Sequence, residues 1–137
     1  MLTKAQILSF GDLEIKKVKV PEKMGKWSGQ EFFIRQLTRG DQDDFLKRKF
    51  GGNKVAPGGA TGFDVAGLYG HDSWIVARGV CDEQGQKLFS DEDVAALNEK
   101  SGSFIGWLAN EILVFSEMKE DAEAAEKLNK LKEELKN

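Results

Sequence analysis

Residues 77–97, ARGVCDEQGQKLFSDEDVAAL, hold the only cysteine of the chain and a dense acidic cluster. A metal loop, a redox site and a corner between two helices compete for this stretch. An EF-hand loop needs aspartate first, oxygen ligands third and fifth, glycine sixth and glutamate twelfth. Counted from Asp82, the third and fifth places hold Gln84 and Gln86, the glycine comes too early at Gly85, and Asp93 stands twelfth. The calcium reading fails. A reactive thiol fares no better, because Asp82 and Glu83 oppose formation of a thiolate at Cys81, which reads as a small buried hydrophobe. The corner fits: Gly85 supplies a turn, Leu88 and Phe89 bury, and Ser90 with Asp93 caps the next helix. Asp91 and Glu92 then occupy its first turn, where the helix dipole favours negative charge.

With a corner at this place, the flanking segments become helices. SGSFIGWLANEILVFSEM, residues 101–118, is apolar on most sides, with Ser103, Gly106, Asn110 and Glu117 as a narrow polar stripe. A helix of that kind is surrounded by protein on most sides. Phe104, Leu108 and Ile112 are assigned to the core. Residues 119–137 are charged, with Leu128, Leu131 and Leu135 as a thin apolar edge at helical spacing, an amphipathic helix that is marginal alone. Upstream, Asp72 or Ser73 opens a helix through Trp74, Ile75, Val76 and Val80, and Gly79 within it costs about 1 kcal/mol relative to alanine.

The N-terminal half adds strands. Thr3 and Gln6 form a capping box for a short helix through Ile7, Leu8 and Phe10. LEIKKVKV (13–20) and EFFIRQL (31–37) read as an antiparallel pair joined by an exposed hairpin tip. Leu13 and Ile15 face opposite to Val18 and Val20, which predicts a bulge near Lys16–Lys17. Thr38 caps a helix with Asp41, carrying Phe45, Leu46 and Phe50. Between 51 and 70 lie seven of the fifteen glycines, a long flexible loop. The fold class is α+β, mainly helical: a short antiparallel β-hairpin near the N-terminus packed with four to six helices. Residues 1–118 form the globular domain and 119–137 the appended helix.

Composition narrows function. The 137 residues carry 23 acids and 20 bases, with 40% hydrophobic residues, so no basic excess exists to neutralise phosphates and no nucleic acid is expected. No apolar run approaches a membrane span, and the N-terminus is too polar for a signal peptide. One cysteine fits a reducing, intracellular setting. His71, in YGHDSW, invites a triad with Asp72 and Ser73, but consecutive residues do not converge as a triad requires. It reads as a solvated loop residue. The loop GGNKVAPGGATGF lacks the Gly-Lys-Ser/Thr ending of a phosphate cradle, and KRKF (47–50) is a solvated helix face. No catalytic residue, metal or cofactor is expected.

What remains is apolar surface. Trp107, Phe115 and Met118 on the greasy helix and Leu128, Leu131 and Leu135 on the tail are the candidate partner contacts; for the three leucines, docking onto the same chain is an equal alternative. Self-association through that unassigned edge is a further possibility.

An apolar helix, then CDEQGQKLFSDEDVAAL, then a second apolar helix resembles the tail assembly chaperones of long-tailed bacteriophages. The resemblance extends to LTKAQIL within Met1–Phe10, the VPE break at Val20–Glu22, and IRQLTRGDQDDF at Ile34–Phe45. It covers most of the chain and departs at Lys23–Gln30 and Gly51–Gly70, which are longer or richer in glycine. It implies a non-enzymatic phage or prophage protein that binds the tape measure protein, keeps it soluble while tail tube subunits assemble, works in the host cytoplasm and is absent from the finished virion. Some members also exist in a longer, frameshifted form. The alternative is a minor structural or tail-completion adaptor of the virion.

Overall fold

A computed structural model describes residues 1–50, 70–119 and 122–136. The Gly-rich segment expected as a flexible loop lies outside the described residues, except for Gly70. The architecture is α+β and mainly helical: α1 (Lys4–Ser9), β1 (Ile15–Lys19), β2 (Glu31–Arg35), α2 (Arg39–Phe50), α3 (His71–Gly79), β3 (Val80–Cys81), α4 (Val94–Leu97), α5 (Gly102–Phe115) and α6 (Ala122–Lys136). The sheet runs in the order β1-β2-β3, antiparallel throughout.

The β1–β2 ribbon holds an unbroken register from Ile15↔Arg35 to Lys19↔Glu31, so the expected bulge is absent. Both faces of β1 carry an apolar residue instead. Val18 and Val20 enter the core, while Ile15 lies against the turn at Gly85, where an added Cβ would meet its Cδ1 at 3.0 Å. Lys16 shares the face of Val18, and its ammonium reaches the Phe115 ring, 5.9 Å from the centroid. A long aliphatic stem lets a lysine take an inward position without burying its charge.

The hairpin tip is likewise more than an exposed loop. A 3-10 turn at Gly25–Trp27 folds back so that Trp27 stacks on Phe104, centroids 4.1 Å apart and planes within 4°. Phe32 tilts against both rings.

The stretch 77–97 contains a third strand as well as a corner. α3 begins at His71 and ends at Gly79, so Val80 belongs to β3, which pairs Ile34↔Val80 and Phe33↔Cys81. The chain turns at Gly85, φ +83°, and returns through a bridge from Cys81 to Lys87. Leu88 is consequently exposed, against expectation, while Phe89 packs on the core. Ser90 and Asp93 form the expected capping box, opening a 3-10 turn at Asp91–Asp93 and then α4.

Helices α3 and α5 make the most extensive helix–helix contact. Trp74, Ile75, Val76 and Ala77 of α3 and Phe104, Ile105, Leu108 and Ile112 of α5 are buried there, together with Val18, Val20, Ile34 and Leu37 from the ribbon. Each large aliphatic so buried contributes roughly 1.5–3 kcal/mol. Helix α5 starts at Ser101, whose Oγ accepts from the Phe104 N–H. It ends in a Schellman motif: Met118 N–H donates to Leu113 O and Glu117 N–H to Val114 O. Glu117 takes the left-handed position there, φ +60°, where glycine is usual. The side chain is exposed, so little contact is lost with it. Glu117→Gly is therefore expected to stabilise the fold by about 0.5–1 kcal/mol, seen as a higher urea midpoint at unchanged slope.

Candidate partner-binding surfaces

Four ion pairs among the described residues gather around Asp41 and Arg78, and they tie separate elements of the fold together. Asp41, which caps α2 with Thr38, turns its carboxylate inward. It accepts from Arg78 Nη1 at 2.7 Å, Arg35 Nη2 at 3.2 Å and the Thr38 N–H at 3.0 Å. Arg78 continues as a two-bond fork to Asp91, at 2.9 and 2.8 Å, and its guanidinium lies 4.9 Å from the Trp74 ring centroid. Burial alone would push the Asp41 carboxyl up, but the hydrogen bonds from Arg78 and Thr38 and the charge of Arg35 outweigh it and hold it below the usual carboxylate range. At Asp91 the Arg78 fork acts in the same direction. The network joins α2, α3, β2 and the 3-10 turn before α4.

The acidic loop is occupied in the same manner. Asp82 accepts from the Gln84 and Gln86 N–H groups, and Asp93 from that of Ser90. These carboxylates order a turn and a helix start. Cys81 is buried in β3 rather than at a helix end, and burial is the main influence raising its thiol pKa.

His71 departs from its expected place. It is the first residue of α3, half-buried, with its ring 4.6 Å from Phe45 and parallel to Trp74 at 6.2 Å. Burial lowers its pKa, and its Nδ1 meets no hydrogen-bond partner among the described residues. The Ser73 hydroxyl donates to Asn98 Oδ1 at 2.5 Å, so no His–Asp–Ser relay forms. A cleft of about 420 Å³ with mixed polar and apolar walls is lined by these residues together with Leu97, Lys100 and Ile105.

Apolar surface is distributed quite differently. Trp107, Phe115 and Met118 are half-buried and lean on the core. Leu128, Leu131 and Leu135 on α6 are 49%, 56% and 86% exposed. A second set was invisible as a surface in the sequence. Helix α1 has no buried residue, and Leu2, Ile7, Leu8 and Phe10 all face solvent, Leu8 at 75% and Phe10 at 70%. A six-residue helix is marginal in water. Its complete capping box, Gln6 N–H to Thr3 Oγ1 and Thr3 N–H to Gln6 Oε1, is what defines it. Large exposed apolar patches are found at protein or membrane contacts, at ligand grooves and on aggregation-prone surfaces.

Between the hairpin tip, α4 and α5 opens a smaller, almost wholly apolar pocket of about 190 Å³. Its floor is Val80, Leu97, Phe104 and Leu108, and Trp27 and Phe89 line it too. Ala96, Asp93 and Lys100 also border it, and of these Ala96 and Lys100 are exposed. The phenylalanines and tryptophan involved were legible as hydrophobic, but nothing local to them signalled that they would leave a recess.

No protein-family model matches the sequence, and no curated protein matches it. Among solved structures, the tail assembly chaperone of bacteriophage HK97 matches over 86% of this chain and 94% of that one, with a TM-score of 0.53 and 16% sequence identity. Nearly the whole of that chaperone is thus spanned by this molecule at low identity, and in fold the chain is similar to a phage tail assembly chaperone.

Proposed function

We propose that this protein is a non-catalytic tail assembly chaperone that binds the tape measure protein and keeps it soluble while the tail tube assembles. The fold likeness, extending over nearly the full length of both chains, carries the reading. The distribution of side chains supports it: the Asp41, Arg78 and Asp91 cluster serves the fold internally, whereas Ile7, Leu8 and Phe10 at α1 and Leu128, Leu131 and Leu135 on α6 stand open. In this reading the client is a long, aggregation-prone chain whose apolar segments need cover until the tube encloses them. Exposed amphipathic helices offer such cover by laying apolar faces together. In this proposal Trp107, Phe115 and Met118 of the α5 end and Leu128, Leu131 and Leu135 of α6 contribute contacts, residues 1–118 form the body, and the tail tube protein is a further partner. The work is done in the host cytoplasm, and the protein leaves before the virion is complete.

Co-expression with the tape measure protein of the same phage is expected to move that protein from the pellet to the soluble fraction and to co-purify it. Mass spectrometry of purified particles should then find no trace of the chaperone. Unchanged solubility with no co-purification would sink the proposal, and persistence in particles would favour a structural adaptor.

A further inference from the structure

We infer that α6 pairs antiparallel with the α6 of a second copy of this chain, with Lys127 of each helix opposite Glu134 of the other. The pairing itself does not rest on the function proposed above. Leu128, Leu131 and Leu135 form one edge of α6 and are 49%, 56% and 86% exposed. Among the described residues, none of the element contacts that build the core includes α6. A helix of fifteen residues is marginal in water on its own. Its leucines recur at intervals of three and four, the spacing of a seam between two helices.

Charge selects the occupant of that edge. In such a seam Leu128 and Leu135 take the first position of the seven-residue repeat, and Ala124 and Leu131 the fourth. Lys127 and Glu134 then fall just before the first position, and Lys132 just after the fourth. Charges at these flanking positions set the partner and the direction of a helix pair. Three arrangements of two α6 helices oppose leucine to leucine. In parallel, Lys127 of each copy meets Lys132 of the other, which repels twice. Antiparallel with Leu131 opposite Leu135, Glu134 meets Glu134 and Lys132 meets Lys132. Antiparallel with Leu128 opposite Leu131, Leu135 lies over Ala124, Lys127 meets Glu134 twice, and no like charges are opposed at the flanks. Only the last attracts, and it is self-complementary, as a two-fold pair of identical chains requires. The seam is short, so the pair belongs with small, transient interfaces. Where α6 also meets the client, the two occupants compete, and the self-pair covers the leucine edge of the free chain.

The test is sedimentation equilibrium of the full chain from about 10 μM to about 1 mM, a range suited to a transient interface. Wild type is expected to pass from monomer to dimer as its concentration rises. Glu134→Lys and Lys127→Glu should each weaken the dimer about fivefold or more, and the double variant carrying both should return to within about twofold of wild type. Helix propensity does not explain such a rescue. Lys130 stands four residues before Glu134 and supports it on the same helix, and that support is lost in Glu134→Lys and in the double variant alike. Leu131→Asp should abolish the dimer.

A wild-type chain that stays monomeric throughout would overturn the inference. So would a dimer that survives Leu131→Asp, which would place the contact on another surface. Stronger association in Lys127→Glu would mean a parallel pair, because there the substitution turns repulsion into attraction. A double variant as weak as the single ones would overturn the register. A monomeric wild type whose Leu131→Asp variant no longer recovers a co-expressed tape measure protein would assign the edge to the client instead.

Discussion

Replacing Asp41 with asparagine is expected to cost about 3–5 kcal/mol at neutral pH, the penalty for stripping the counter-charge from a buried pair. The side chains of Asp41, Arg35 and Arg78 are 5%, 11% and 16% exposed, so water compensates little. Asparagine preserves the shape but offers one acceptor oxygen where two guanidinium groups and the Thr38 N–H now bond. Its amide would also turn a donor toward a donor. The same substitution changes the response to acid. The folded carboxyl titrates below its unfolded value of about 3.9. Its contribution is therefore complete above that pH and disappears as the pH falls through the folded value. Wild type should lose stability steeply in that window, while Asp41→Asn lacks this proton and responds less. Urea melts at pH 7 and near pH 2.5 check both parts: the gap between the two proteins should narrow in acid. A gap independent of pH would mean that the asparagine harms packing and that the charge is idle.

Asp41 also shows which parts of this molecule a sequence displays. Its role as a helix cap is local, since Thr38 stands three residues away, and that role was legible. So were the boxes at Thr3–Gln6 and Ser90–Asp93, the turn at Gly85 and the apolar body of α5. The inward half of Asp41 depends on Arg78, thirty-seven residues on, which no local pattern announces. β3 escaped for the same reason. Two residues, Val80 and Cys81, make a strand only because Ile34 and Phe33 offer them a ladder. The bulge near Lys16 was inferred from a change of apolar phase, although the phase changes because Ile15 has its own partner behind the sheet. Among candidate contacts, the leucines of α6 could be read from helical spacing. Exposure of α1 could not, because an apolar helix looks alike in sequence whether it is covered or bare. The recess beside Trp27 is a property of how three distant elements meet, and it belongs to none of them alone.

Gly79→Ala inverts the expectation that helix propensity alone would set. Alanine is favoured over glycine inside a helix by about 1 kcal/mol, which predicts a gain. Here a Cβ at residue 79 would come within 2.5 Å of Ile112 Cγ2, 2.6 Å of its Cδ1 and 2.8 Å of its Cγ1. Ile112 is fully buried in the last turn of α5, and a β-branched side chain on a helix has one strongly preferred rotamer, so it has little room to turn away. The two helices must separate or α3 must fray toward β3, and either movement disturbs the most extensive helix contact in the fold. A net loss of about 1–2 kcal/mol is expected, the upper part of the usual overpacking cost, about 2–3 kcal/mol, less the propensity gain of about 1 kcal/mol. Ile112→Ala should itself cost about 2–5 kcal/mol by leaving a hole. Because the new methyl fills part of that hole, the double variant should be clearly more stable than the sum of the two losses predicts. Equilibrium unfolding of the four proteins measures the coupling directly. A stabilised Gly79→Ala, or simple additivity in the double variant, would mean that the helices are not pressed together at this glycine.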